Sequence, residues 1–207
     1  MNFDRRRLAG TLLSVGVLQW FFSVMTAEGL HQGFNLSPSQ WIPFSNQIHY
    51  VSELGVGSTA PIFNISTIVL GLMVAGAACL FYLKDRTILF SSLLLISGVG
   101  ALGVGVFPTN IQPTHGIFQL LALLFGAFSA ILSFRKQEAP LSYISAVLGI
   151  VSFVTSIVFY PYLGLGVNDM STFLGLGKGV MERIVIYSLI LWIFGYGYHM
   201  AGKTSES

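Results

Sequence analysis

Few residues in this chain could do chemistry, and most stand at the edges of long apolar runs. Glu53 precedes one run, Asn64 lies in that run's first turn, His115 opens another, and Glu182 and Arg183 begin a third. Ionisable and strongly polar groups beside hydrocarbon are costly, so their placement is the sharpest functional signal available. These five form the candidate ligand-binding cluster. His49 and Glu53 are four apart, one helical turn, and His115 could add a third ligand from elsewhere in the chain. Two imidazoles and a carboxylate with an open position make a possible zinc set. The plainer alternative leaves His49 in a loop and pairs Glu53 with Arg183. Glu182 and Arg183 are adjacent, so on a helix their side chains diverge by about 100° and each needs a partner elsewhere. Glu53 with Arg183 and Glu182 with His115 are the expected cross-span pairs. Alone, they would be a structural ion network. The stretch TNIQPT at 109–114 leads straight into His115. A helix start there favours anions, so with Arg183 nearby it is a candidate seat for a phosphate or carboxylate head group, with a neutral His115 as acceptor or base. Alternatively His115 only caps its helix.

The elements that must hold these residues follow from composition. Of 207 residues 54% are hydrophobic and 9% charged, with a mean hydropathy of +0.76. A soluble domain carries roughly 25% charge. Eight acidic and ten basic side chains cannot cover a folded surface in water. The chain reads as an integral membrane protein, and its net charge of +2 leaves no phosphate-tracking patch for nucleic acid. Six runs long enough to satisfy their own backbone in hydrocarbon lie at about 8–27, 62–83, 87–107, 115–134, 141–160 and 180–200. The expected fold is all-α, one six-helix transmembrane domain. The first run is too long for a cleaved signal and reads as an anchor. The single Cys79 permits no intramolecular disulfide.

Orientation follows from Lys and Arg in the short flanks. Arg5, Arg6 and Arg7, then Lys84 and Arg86, Arg135 and Lys136, and Lys203 all fall on one side, whereas 28–61 contains no Lys or Arg. Both termini are therefore expected in the cytoplasm and the cluster at the outer face of the cell membrane. The outer loop 28–61, with Trp41, Phe44 and Tyr50 among polar residues and three prolines, is expected to lie on the interface or fold over the bundle as a lid. The outer loop 161–179, with LGLG at 163–166 and 174–177, reads as a mobile loop. Ser97, Ala101 and Gly105, and Ser145 with Gly149, have the spacing that lets helix backbones approach, within the chain or in a homo-oligomer.

SELG at 52–55, PIFN at 61–64, GVGVFP at 103–108, His115 opening the next span and ERI at 182–184 together resemble the domain-of-unknown-function 998 family of small six-span prokaryotic membrane proteins. A more distant similarity links them to the eukaryotic Frag1/DRAM/Sfk1 group. The resemblance covers nearly the whole chain. It implies the six-span fold and marks Ser52, Glu53, Asn64, Pro108, His115, Glu182 and Arg183 as motif positions, without implying a reaction.

Three functions compete. A binding protein would hold a lipid head group or small polar ligand in the outer-face cluster. A membrane-embedded hydrolase, with or without metal, would use His115 or Glu53 as base and Ser52 as nucleophile. An assembly protein would use the same residues only to pin helices. The span centres lack charge, which counts against a pure transporter. No GxSxG or HExxH motif is present, so whether the chain is an enzyme stays open. A scaffold needs no polar cluster, yet one is present, and binding is the favoured expectation.

Overall fold

Because lipid solvates the outside of such a bundle as well as a hydrocarbon core would, large apolar side chains occur on both its outside and its inside. The computed structural model describes residues 4–37, 40–162, 165–166 and 168–202. Its six helices are α1 (Arg5–Leu30), α2 (Ala60–Asp85), α3 (Ile88–Val106), α4 (Thr114–Ser133), α5 (Leu141–Phe159) and α6 (Lys178–Gly202). All six are long and apolar enough to cross a membrane. Large residues such as Phe22, Ile65, Leu89, Val147, Ile157 and Leu191 face outward, whereas small ones such as Ala77, Ala130, Ser129 and Ser152 are buried. Association between membrane helices depends on close packing, which small residues permit. A Cβ on Gly71 would lie 2.3 Å from the Leu102 amide of α3, and one on Gly98 2.7 Å from the Ala75 amide of α2. The expected small-residue faces are used in this way: a Cβ on Gly105 would meet the Asn64 carbonyl at 2.6 Å, and one on Gly149 would meet Ile131 of α4 at 2.8 Å. Ser97 donates to the Ala122 carbonyl at 2.8 Å.

Each helix packs on its neighbours in the chain, and α6 returns to α1, closing the ring. One end is made of short turns. There Asp4 caps α1 by accepting from the Arg6 amide at 3.0 Å, and Arg6 pairs with Asp85 at 2.7 Å. The Lys136 ammonium sits 5.0 Å from the centroid of the Phe90 ring. Lys203 lies outside the described residues.

The opposite end is capped by the two long loops. The first carries an antiparallel hairpin, β1 (Gly33–Ser37) with β2 (Gln40–Pro43), then a turn and two short 3-10 segments, Ser52–Gly55 and Gly57–Thr59. Gly33 is required at its start, since its φ is +148° and a Cβ would lie 2.2 Å from the Ile42 carbonyl oxygen. Folding over the bundle is thus the observed arrangement of 28–61. The second loop contains a small hairpin, β3 (Thr172–Phe173) with β4 (Leu176–Gly177), where a mobile loop was expected. Gly175, at φ +78°, lies between its strands. The stretch 163–166 falls partly outside the described residues.

Candidate functional site

The capped end is assembled around the first turns of α6. The amides of Gly179 and Val180, which a helix start leaves without internal partners, donate to the Gln47 carbonyl at 3.1 and 3.3 Å. Arg183, one turn further on, spreads its guanidinium over the same segment. Nη1 donates to the carbonyls of Asn46 and His49, both at 2.8 Å, and of Gly179 at 3.0 Å. Nη2 donates to Glu28 at 2.6 Å and to the Asn46 side chain at 3.1 Å, and Nε reaches the same Glu28 oxygen at 3.2 Å. Glu182 leaves the helix in another direction. Its carboxylate accepts from the Val51 amide, from Ser52 Oγ at 3.0 Å and from Gln119 Nε2 at 2.7 Å. Segment 46–52 is therefore wrapped around α6 and fixed by both neighbours at once.

These contacts correct two expectations. Arg183 pairs with Glu28, at the end of α1, and not with Glu53. Glu182 binds Ser52 and Gln119, and not His115. The reason is reach: the wrapped segment brings backbone carbonyls and an amide to α6, and Gln119 lies one turn beyond His115 on α4. Their divergence around the helix sends each to a different partner, as adjacency requires. With six donor contacts taken, Arg183 has no fork free for an anion beside His115. The expected phosphate or carboxylate seat is not assembled.

Asn64 donates to the Gly55 carbonyl at 3.0 Å and so ties the 3-10 segment to α2. His49 is fully buried, accepts from the Ser45 amide at Nδ1 at 2.9 Å, and stacks on Phe44 at 5.5 Å. With Phe34 and His31 it forms an aromatic cluster under the hairpin. Among the described residues no group of three or more His, Cys, Asp or Glu side chains could hold a metal ion, so His49, Glu53 and His115 do not gather as a ligand set. The imidazole of His49 is turned into the hairpin's ring cluster instead.

Glu53 and His115 do share a space. A cavity of about 230 Å³ opens between the wrapped segment, the α3 to α4 loop and the start of α4. Tyr50, Ser52, Glu53, His115 and Gln119 line it, with Thr109, Asn110 and Gln112 at its side and Leu165 and Gly166 from the second loop. Glu53 is 4% exposed, and its Oε2 accepts from the Tyr50 amide at 2.9 Å. Burial pushes its carboxyl up to about 7, against the pull of Lys178 and with a further push from Glu182. Lys178 is fully buried, donates to the Leu165 and Gly166 carbonyls, and lies 4.8 Å from the centroid of the Tyr50 ring. The Tyr50 hydroxyl donates to the Tyr162 carbonyl, and burial raises its pKa above the usual phenolic range.

His115 is the decisive member. It is 1% exposed, and its Nδ1 is 2.7 Å from the carbonyl oxygen of Phe107, the residue that ends α3. A carbonyl only accepts, so Nδ1 carries the proton, and in the neutral ring Nε2 is left as an acceptor. That Nε2 is buried and has no hydrogen-bond partner among the described residues. A buried acceptor without a partner costs about 1–3 kcal/mol, and a site that keeps one needs a reason.

Four residues escaped the sequence reading: Glu28, Tyr50 as a cavity wall, Gln119 and Lys178. Gln119 had a signal, since an amide four residues from His115 within an apolar run must share its helix face. Glu28 had none, because its partner lies 155 residues away.

Six apolar helices under a cap of two long loops, with a cavity lined by both polar and apolar residues at that end, define a polytopic membrane protein. The chain belongs to the family described as protein of unknown function (DUF998), whose model matches residues 14–199. No curated protein and no solved structure matches it.

Proposed function

We propose that the protein binds a small polar molecule or lipid head group in the cavity between Glu53 and His115, at the outer face of the cell membrane. The carrying observation is that His115, a residue of the cavity lining, keeps a buried Nε2 with no hydrogen-bond partner among the described residues. That nitrogen accepts and does not donate, and Glu53, which lines the same cavity, only accepts once ionised above about pH 7, so the ligand brings donors: hydroxyl or amine groups, and not a bare phosphate or carboxylate. The outward placement rests on charge. The turn-made end holds Arg5, Arg6, Arg7, Lys84, Arg86, Arg135 and Lys136, whereas the capped end holds Lys178 and Arg183 with four acids. The basic end faces the cytoplasm by the positive-inside rule, together with both termini.

Saturation-transfer NMR on protein in phosphatidylcholine nanodiscs, whose head groups carry no donor, tests this reading. Ethanolamine and glycerol are expected to receive saturation and acetate and methyl phosphate to receive none, and His115→Ala is to weaken the former at least ten-fold while its circular dichroism stays native. Preferential binding of the anions, or equal binding by wild type and variant, overturns it.

One observation favours a second reading as a serine hydrolase: Ser52 Oγ lines the cavity and donates to a buried carboxylate at 3.0 Å. A fluorophosphonate probe that labels wild type and not Ser52→Ala would carry it, and absence of labelling sinks it.

A further inference from the structure

A second cavity of about 90 Å³ lies deeper in the bundle. It shares Ser52 and Gln119 with the first, so these residues, hydrogen-bonded to Glu182, stand between the two. Below that point its walls are apolar side chains of α1, α2, α3, α4 and α6, among them Trp20, Leu70, Val104, Leu123 and Ile193. Away from Glu182 its polar donors are taken: Trp20 Nε1 donates to Thr67 at 3.0 Å, Thr67 donates to the Phe63 carbonyl at 2.7 Å, and Ser97 donates to the Ala122 carbonyl at 2.8 Å. A water needs two to four polar partners, and below Glu182 this chamber offers few, so it favours hydrocarbon over water.

We propose that the two cavities together take one molecule, a single-chain amphiphile. Its hydroxyl or amine head lies against His115 and Glu53, and its hydrocarbon chain passes Gln119 into the apolar chamber. The inference rests on the binding reading above and adds the ligand's chain. Size limits that chain. The chamber's 90 Å³ equals about three waters at ~30 Å³ each, so it holds only the last few carbons of one chain, the rest lying in the 230 Å³ of the first cavity, and not the two chains of a bilayer lipid.

The probe is 8-bromooctan-1-ol, whose bromine quenches indole fluorescence on contact, added to protein in phosphatidylcholine nanodiscs. Trp20 lines the chamber, so a saturable quenching component is expected in wild type and is to be lost in Trp20→Phe. Ala101→Leu and Leu123→Phe each narrow the chamber; either is expected to raise the half-saturating concentration at least ten-fold while glycerol and ethanolamine still receive saturation by NMR. Two variants are used so that misfolding of one, seen by circular dichroism, leaves the other to decide. Head-group binding without saturable quenching, or quenching unchanged in a folded narrowed variant, overturns the amphiphile and leaves the binding reading intact. If neither the head groups nor the bromoalcohol binds, both fall together.

Discussion

Arg183 and His115 stand in the same capped end, yet they carry different predictions. Arg183 is saturated by protein, with its charge met by a Glu28 whose side chain is 11% exposed. Removing one partner of a buried pair leaves the other charged and unpaired, typically at 3–5 kcal/mol. Arg183→Ala is therefore expected to lower stability by about that much, measured by thermal or SDS unfolding, and Glu28→Gln in the same chain to restore part of the loss. His115→Ala removes the Nε2 acceptor together with the Nδ1 bond to the Phe107 carbonyl, and is expected to cost ligand binding and, for that lost bond, about 1–3 kcal/mol of stability. Glu53 adds a pH dependence. Its carboxyl titrates near 7 in the folded protein, above its ordinary value of 4.5, so the folded state holds the proton more tightly. The sign follows: this contribution to stability is complete below about pH 4.5 and is lost as pH rises through 7. Binding of cationic ethanolamine is expected to run the other way, tightening several-fold from pH 6 to pH 8, whereas that of glycerol is expected to change little. Glu53→Gln is expected to flatten the ethanolamine profile, and a profile unchanged in that variant would remove Glu53 from the site.

At the scale of elements, the helices were legible and the cap was not. Runs of apolar residues long enough to span hydrocarbon leave one physical choice, and α1 to α6 fall within a few residues of the expected bounds. The cap is irregular and is held by backbone carbonyls of Asn46, Gln47 and His49, groups that every sequence possesses and no pattern marks. For the same reason the residues of the cluster could be named while their pairing was misassigned: types and flanks locate Glu182 and Arg183, but only the path of 46–52 decides what they meet. The crossing of α2 and α3 yields a sharper test. Gly98→Leu would drive a side chain into the Ala75 backbone and is expected to cost several kcal/mol. Gly29→Ala, where a Cβ meets nothing within 4 Å, is expected to be neutral or to gain up to about 1 kcal/mol through helix propensity. Equal effects in unfolding assays would mean that the crossing is looser than described.

Across the whole molecule, charge and shape are polarised together. Basic turns occupy one end and the roofed cavity the other, so orientation and function are linked. With Cys79→Ala as background, Trp41→Cys in the β1 to β2 hairpin is expected to react with a membrane-impermeant maleimide on intact cells, and Glu138→Cys in the α4 to α5 turn only after lysis. The reverse pattern would place the cavity in the cytoplasm and change which pool of molecules it samples.

The wrapping of 46–52 around α6 also has a temporal side. The segment 46–52 lies early in the chain, but Gly179, Val180, Glu182 and Arg183, which fasten it, belong to α6, synthesised after the other five helices. During biogenesis the cap therefore waits, with Glu28 uncompensated, until α6 enters the bilayer. A ribosome-bound chain stopped short of Lys178 would expose the unroofed site to proteases from the cap side, and resistance would arise in one step as α6 arrives.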